Sequence, residues 1–346
     1  MKKSLIALAV AGAISSPAFA ATSNVDIYGQ VSFALESTSN DFPLGSAFNP
    51  GINDDLAVVD RVSRIGFKGS EDLGGGLKAI WQIEQQINAT STSPQNNNTA
   101  FGGSNLRNTF IGLSSSEWGT VLMGRHDTPY KLATRDIFVD SIADYNNTFA
   151  SGGTSAVALI DATQDYRSPQ AIAYVSPTWS GFHFAGALIA SANSANGNVN
   201  SGDGIDAWSV MGMYENGPLF LSGAYQEVQL FGKLCNNCDS SQAYKLAGGF
   251  NFGDFTVGGI YENVSNFDGL NDRDSWLANG TFKMGNIVFK GQYGSVNTDI
   301  GDGSQWTVGA DYNFSKRTFA YLTYVSSDND RIDNVDGWAL GMKHSF

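Results

Sequence analysis

The chain has 346 residues, with 40 Gly, 22 Phe, 13 Tyr, 8 Pro and 2 Cys, and its 20 basic and 33 acidic residues give a net charge of −13. Such an acidic chain lacks the basic footprint that a phosphate backbone requires, so we exclude nucleic acid as a partner. Many glycines and aromatic residues are typical of a protein built from short strands, and no linker or composition shift divides the chain into domains.

The first twenty residues have the pattern of a secretory signal peptide. Two lysines precede an apolar run at 5–14, and an A-x-A cleavage site follows at 18–20. About ten apolar residues are too few to cross a bilayer core of about 30 Å as a helix. We therefore predict a cleaved signal peptide at 1–20 and an exported domain at 21–346.

Alternation of apolar and polar residues, bounded by turn residues, predicts sixteen strands. In chain order they cover 24–36, 57–69, 77–88, 105–115, 119–126, 166–176, 180–192, 206–216, 217–231, 241–253, 254–266, 273–285, 286–297, 304–314, 317–328 and 335–346. The connections alternate between tight turns and long polar loops, of which 127–165 is the longest. Loop lengths segregated in this way are typical of an outer-membrane β-barrel rather than of a soluble β-sandwich.

The last predicted strand has two chemically distinct faces. Trp338, Leu340 and Met342 point to one side, while Gly341 and Lys343 point to the other. Lipid outside and water inside explain this alternation. Because apolar and polar residues alternate, the hydropathy averaged along such a strand is close to neutral. The mean hydropathy of −0.16 is therefore compatible with a membrane barrel. One such strand would also fit a soluble protein, and it is the repetition along the chain that favours the barrel.

Short motifs throughout the predicted mature chain resemble those of the Gram-negative general porin family. They are VDIYG at 25–29, SRIGFKG at 63–69, EDLG at 71–74, AIWQIE at 79–84, FIGL at 110–113, MGR at 123–125, YRSP at 166–169 and GMKHSF at 341–346. The resemblance implies an all-β transmembrane barrel of sixteen antiparallel strands that assembles as a homotrimer, with the long third loop folded into the lumen.

The same resemblance implies a function and a location. We expect an outer-membrane porin of a Gram-negative bacterium, a water-filled channel for passive diffusion of ions and small hydrophilic solutes. The expected partners are outer-membrane lipid, lipopolysaccharide and the barrel assembly machinery, for which the terminal Phe346 resembles the recognition signal. A substrate-specific channel remains an alternative, as does a barrel that serves as an adhesin or structural anchor.

Strand alternation also predicts which polar side chains face the lumen. Because Ile65 lies on the apolar face of its strand, Arg64 and Lys68 point inward, and the same rule places Gln82 and Glu84 inside. For Glu84, pairing with a wall arginine and direct lining of the pore both remain open.

The resemblance implies a constriction with charges of opposite sign on its two sides. The candidate residues are Arg64, Arg125 and Arg167 on the wall and Asp136, Asp140 and Asp144 on the long loop. The acidic Pro-Glu-Phe motif that is characteristic of this loop in the family is absent here. The apolar residues of the stretches 135–140 and 142–145 are expected to pack on the barrel wall. Opposed charges across a narrow gap order water and bias which ions enter.

Ion preference follows from two competing features. Removal of Lys2 and Lys3 with the signal peptide leaves 18 basic and 33 acidic residues and a net charge of −15, which favours cations, whereas the basic wall favours anions. Charges more than about 10 Å away are screened at 0.1 M salt. From the sequence we expect a slight preference for cations.

The remaining chemistry-bearing residues give no pattern of an enzyme or a metal site. Cys235 and Cys238 are the two cysteines, and the oxidising periplasm favours a local disulfide, although a free thiol pair or metal site stays open. His126, His183 and His344 accompany no nucleophile motif. We therefore predict no enzyme activity, no metal and no cofactor.

Overall fold

The computed structural model describes residues 24–40, 56–87, 89–90, 106–145, 158–161, 164–190, 205–229, 239–266, 271–299, 301–330 and 332–346. The signal peptide predicted at 1–20 and the cysteine pair at 235 and 238 lie outside these residues, so both stay predictions. Within the described residues no helix is long and apolar enough to span a membrane.

Seventeen strand segments form one continuous antiparallel sheet. They are β1 (Asn24–Asn40), β2 (Ala57–Asp60), β3 (Arg64–Gly74), β4 (Leu77–Gln86), β5 (Thr109–Ser115), β6 (Gly119–Asp127), β7 (Arg167–Val175), β8 (Phe182–Ala190), β9 (Ile205–Asn216), β10 (Leu219–Val228), β11 (Ser241–Asn251), β12 (Phe255–Ser265), β13 (Arg273–Met284), β14 (Ile287–Thr298), β15 (Gly303–Asn313), β16 (Thr318–Asn329) and β17 (Ile332–Ser345). From β3 onward each strand pairs with its neighbour in sequence, β1 pairs with both β2 and β3, and β17 pairs with β1. The sheet is therefore a closed barrel without free edges.

The segments β2 and β3 are two parts of one barrel strand. Both pair with β1, and the three residues between them lie opposite only two residues of β1. Val62, in this bulge, has a φ of 59°, a conformation that an L side chain rarely adopts. Counted in this way the barrel has sixteen strands, and the prediction of an all-β, sixteen-stranded antiparallel barrel is confirmed. The bulge interrupts the single strand predicted at 57–69.

Tight turns at one end of the barrel depend on backbone conformations that glycine supplies. Gly217 and Gly285 connect β9 to β10 and β13 to β14 with φ values of 57° and 61°. Because glycine has no Cβ, it adopts these left-handed conformations at little steric cost. The short connections predicted near these positions are confirmed.

The two faces of the barrel wall differ in chemistry. On β11 the Leu246 side chain is 58% exposed on the outer face, whereas its neighbour Lys245 is fully buried on the inner face. Rings cluster on the outer surface near both rims, for example Tyr244 with Tyr261 and Phe255 with Phe282. An apolar outer band between two aromatic girdles is what a bilayer requires of a barrel.

The longest connection runs between β6 and β7, over residues 128–166, and is called L3 below. It begins with a single helical turn, α1 (Pro129–Leu132), in which the Thr128 side chain caps the Lys131 amide and Pro129 occupies the first turn. Elsewhere the described part of L3 is irregular. Its contacts are with side chains on the inner face of the barrel, and these contacts make up the candidate site.

Candidate pore constriction

The start of L3 is attached to the inner wall by buried polar contacts. Tyr130 is fully buried, and its hydroxyl donates a hydrogen bond to Glu262 of β12 at 2.8 Å. The Tyr130 amide donates to the Ser209 hydroxyl of β9 at 2.9 Å. Burial, and then the nearby Glu262 carboxylate, raise the pKa of Tyr130 well above its usual value. Tyr130 therefore remains a neutral hydrogen-bond donor that holds L3 to two strands.

The end of L3 supplies carboxylates to basic side chains of the wall. Lys245, which is fully buried, lies 3.0 Å from Asp165 and 3.9 Å from Glu262. Arg273 of β13 lies 3.5 Å from Asp161 of L3 and 4.0 Å from Glu262. Removal of one partner from such a buried network leaves a charge without compensation, at a cost of about 3–5 kcal/mol. The network therefore anchors L3 to β11, β12 and β13.

Sequence analysis did not single out this anchor. Lys245 and Glu262 occupy inward positions by strand alternation, which is the signal that was available in the sequence. Nothing local shows that Asp161 and Asp165, about 80 to 100 residues away, provide the opposite charges. The pairing depends on where the barrel places L3.

The tip of L3 is folded on itself through two of the predicted acids. Asp136 accepts hydrogen bonds from the backbone amides of Phe138 at 2.7 Å and Tyr145 at 3.1 Å. Asp144 accepts one from the Asp140 amide at 3.0 Å. Burial, followed by the neighbouring Asp144 carboxylate, raises the pKa of Asp136 well above its usual value. These two carboxyl groups therefore organise the L3 backbone.

Asp140 connects the tip of L3 to the wall. Its carboxylate lies 3.3 Å from Arg64 of β3 and 3.2 Å from Lys343 of β17, and it accepts a hydrogen bond from Gln30 of β1 at 3.0 Å. Burial opposes ionisation, but Arg64 and Lys343 more than offset it, so that the pKa of Asp140 lies below its usual value. Asp140 therefore remains ionised and bridges three strands.

The other two predicted arginines lie at the base of L3. Arg167 pairs with Asp127 at 3.0 Å and donates to Asn108 at 2.6 Å. Arg125 donates to the Leu106 carbonyl at 2.9 Å and forms no ion pair with any residue in the described part of the chain. Of the three arginines, Arg64 is the one whose ion pair is with a predicted L3 acid. The assignment of all three to one constriction wall stays a prediction.

The predicted lumen residues on β3 and β4 form a polar cluster with a residue that the sequence analysis did not name. Glu84 accepts a hydrogen bond from Tyr28 at 2.9 Å and pairs with Arg107 at 2.5 Å. Lys68 lies 5.2 Å from the centre of the Tyr28 ring. Gln82 donates to the Asn108 carbonyl at 3.3 Å. Of the two alternatives for Glu84, this geometry shows pairing with an arginine, although not with one of the predicted wall residues.

His126 and His344 make ordinary polar contacts. His126 Nδ1 lies 2.8 Å from the Asp127 carbonyl oxygen, and its ring meets the Phe110 ring edge to face. His344 Nδ1 lies 2.8 Å from the Thr318 hydroxyl on the exposed surface. Among the described residues, no group of three or more His, Cys, Asp or Glu side chains is arranged to hold a metal ion.

Comparison with known proteins gives consistent matches over nearly the full length. A family model described as Gram-negative porin matches residues 7–332. The major outer membrane protein P.IB of Neisseria meningitidis serogroup B / serotype 15 (strain H44/76) is 30% identical over 366 residues, with 100% of both chains covered. The P.IB protein of Neisseria gonorrhoeae is 27% identical over 354 residues, covering 93% of this chain and 92% of the relative.

Solved structures match the barrel at lower sequence identity. The anion-selective porin from Comamonas acidovorans superposes with a TM-score of 0.73 at 21% identity, covering 94% of this chain and 100% of that chain. Outer-membrane expressed OmpT of Vibrio cholerae superposes with a TM-score of 0.65 at 16% identity, covering 96% of this chain and 99% of that chain. These two likenesses concern the fold.

Proposed function

The chain belongs to the Gram-negative porin family and forms an outer-membrane channel for passive diffusion, and from this premise we propose that L3 sets the narrowest part of its lumen. The observation that carries this proposal is the span of the L3 contacts. L3 is tied to β11, β12 and β13 through Asp161 and Asp165, and to β1, β3 and β17 through Asp140. In this proposal L3 covers one side of the lumen and leaves β4 to β7 facing the open space.

The charges around this space favour anions. The described side chains that pair with Asp140, Glu84 or Asp127, taken together with Arg125, comprise five cations against these three carboxylates. The cations are Arg64, Arg107, Arg125, Arg167 and Lys343, and the carboxylates are Glu84, Asp127 and Asp140. Because distant loop charges are screened by electrolyte, the local excess should outweigh the net charge of the whole chain. We therefore replace the slight cation preference expected from the sequence with an anion preference. The Comamonas acidovorans porin, which is named for its anion selectivity, has the same fold.

The predicted acids have separate roles in this proposal. Asp140 is ionised and faces the basic wall, whereas burial and the neighbouring Asp144 carboxylate raise the pKa of Asp136, so that Asp136 and Asp144 add less negative charge than two free carboxylates. Arginine suits the wall because it stays charged in crowded surroundings. Lys68 and Gln82 would extend the polar lining beyond the constriction.

Assembly and location are inferred from the family. Porin family members are generally trimeric in the outer membrane, and this chain would form a homotrimer there, with the rest of its apolar surface against lipid and lipopolysaccharide. Phe346 exchanges two backbone hydrogen bonds of 3.1 Å with Gly29, beside the seam where β17 meets β1. Its ring is 45% exposed on the outer surface. A terminal ring in that position would be accessible to the assembly machinery until the seam closes.

The porin family is a family of channels, and we assign no catalytic step to this chain. A second candidate within the same class is a substrate-specific channel, which is favoured by the Arg125 guanidinium. Since Arg125 has no carboxylate partner among the described residues, its charge is available to an anionic solute. Such a channel would show a current that saturates with one anion, whereas a general porin conducts small ions in proportion to their concentration.

The experiment is a planar-bilayer measurement of single-channel conductance and reversal potential under a salt gradient. The purified parent protein is compared with Arg125→Ala and with Lys283→Ala, a matched loss of one positive charge at the exposed end of β13. We expect an anion-selective parent, a reversal potential shifted towards cations in Arg125→Ala, and no shift in Lys283→Ala. Equal shifts in both variants would contradict the proposed wall, and folded protein without conductance would contradict the channel itself.

A further inference from the structure

Three apolar side chains of L3 are buried in the barrel interior more completely than a solvated loop would allow. Phe138 is 1% exposed, and Ile142 and Leu159 are fully buried. Phe138 and Ile142 pack with Tyr321, Val325 and other residues of the wall. L3 is therefore attached by apolar contacts as well as by its ionic anchors.

Each of these three side chains points at a glycine on the inner face of the wall. A Cβ atom added at Gly294 of β14 would lie 2.9 Å from both terminal methyl groups of Leu159. One added at Gly309 of β15 would lie 3.0 Å from the Phe138 ring, and one added at Gly337 of β17 would lie 2.9 Å from the Ile142 terminal methyl. At Gly294 the Trp276 carbonyl oxygen of the wall would lie nearer still, at 2.7 Å, whereas at Gly309 and Gly337 the L3 atom is the nearest. L3 thus occupies part of the space that a wall side chain would fill.

Other inward glycines of the same barrel are covered differently. Gly66 lies beneath the Tyr28 ring and Gly341 beneath the Tyr321 ring, each ring coming from the adjacent strand. Those contacts belong to the wall itself and would persist without L3. Gly294, Gly309 and Gly337 differ because the covering side chain belongs to L3.

We propose that Gly294, Gly309 and Gly337 are sockets that fix the distance between L3 and the wall and thereby set the cross-section of the pore. The inference rests on the proposed role of L3 as the constriction. Strands β14, β15 and β17 are hydrogen-bonded on both sides, so the wall resists displacement. L3, whose described residues form no strand pairing, is the part that must move when a socket is filled.

Gly337 is the best position for a test, because the three heavy atoms nearest to a Cβ atom added there all belong to side chains. They are Ile142 Cδ1 at 2.9 Å, Thr38 Cγ2 at 3.1 Å and Val325 Cγ1 at 3.5 Å. An ordinary contact begins near 3.4 Å, so a new Cβ atom requires the Ile142 end to retreat by several tenths of an ångström. Valine adds two further methyl groups and suits a strand, so it should displace L3 further than alanine.

The experiment combines single-channel conductance with crystal structures of the full-length mature trimer. The variants are Gly337→Ala, Gly337→Val, Ile142→Ala and the double variant Gly337→Ala/Ile142→Ala. Gly291→Val is the control, because Gly291 faces outward from β14 and its nearest neighbour would lie 4.0 Å from the added Cβ. Retention of the heat-modifiable trimer shows that each variant folds.

We expect L3 to move away from the wall and the conductance to fall in the order parent, Gly337→Ala, Gly337→Val. Ile142→Ala empties the socket from the L3 side, so adding it to Gly337→Ala should restore both the L3 position and the conductance. An unmoved L3 with parental conductance in Gly337→Val would overturn the sockets. A displaced L3 with parental conductance would support the sockets and overturn the proposal that L3 is the constriction.

Discussion

Replacing Asp165 by Asn should loosen L3 without unfolding the barrel. Lys245 is fully buried and lies 3.0 Å from Asp165, and after the substitution Glu262 at 3.9 Å is the one described carboxylate that still pairs with Lys245. Breaking a buried pair by removing one partner costs about 3–5 kcal/mol. The barrel wall keeps all of its strand pairing, so this cost falls on the attachment of L3.

The size of the effect can be worked out from that cost. Each 1.4 kcal/mol is about a tenfold change in an equilibrium constant, so about 3 kcal/mol corresponds to roughly a hundredfold rise in detachment of L3. In single-channel recordings the detached state should appear as excursions from the main open level. We therefore expect these excursions to be about a hundredfold more frequent in Asp165→Asn than in the parent.

Two controls separate the anchor from general damage. Glu36→Gln breaks the buried pair with Arg61, which joins parts of the wall and does not involve L3, so the excursion frequency should stay at the parental value. The double variant Lys245→Met/Asp165→Leu removes both charges, and apolar replacement of a buried pair is often neutral, so it should lie close to the parent. Parental behaviour of Asp165→Asn itself would refute the view that buried charge holds L3.

Two further predictions concern the tip of L3. The depressed pKa of Asp140 means that its contact with Arg64 and Lys343 stabilises the tip above the usual aspartate pKa of about 4, and that this stabilisation is lost as the pH falls through the lower pKa of the folded state. The current noise of the parent should therefore rise in acid. Asp140→Asn should already show the higher noise at neutral pH and should show no further rise in acid, and parental noise in the variant would refute this. The pKa of Asp136 is shifted in the opposite direction, upward. Protonated Asp136 therefore stabilises the tip of L3 fully below about pH 4, and this stabilisation is lost as the pH rises through the higher pKa of the folded state. Asp136→Asn should flatten the change in L3 noise above pH 4, and an unchanged pH profile would count against a raised pKa of Asp136.

The strands could be predicted because each of their side chains faces one of two environments, lipid or the barrel interior. Leu246 and Lys245 differ by one position, and the two-residue period of a strand sends one to lipid and the other to the interior. The interruption between β2 and β3 could not be predicted, because Val62 carries no local signal for a left-handed conformation. Arg107 was likewise missed, since its pairing with Glu84 depends on the register of two strands.

By itself the sequence determined the strand number, the alternation of faces and membership of a channel family, because these depend on local periodicity and on motifs spread along the chain. Only the tertiary structure decided the orientation of L3. Asp136 turns towards its own backbone and Asp140 towards Arg64, although both are aspartates four residues apart. L3 has no repeating pattern, and its conformation is set by buried charges and glycine sockets on strands that are distant in the sequence. Those contacts exist only after the barrel has closed.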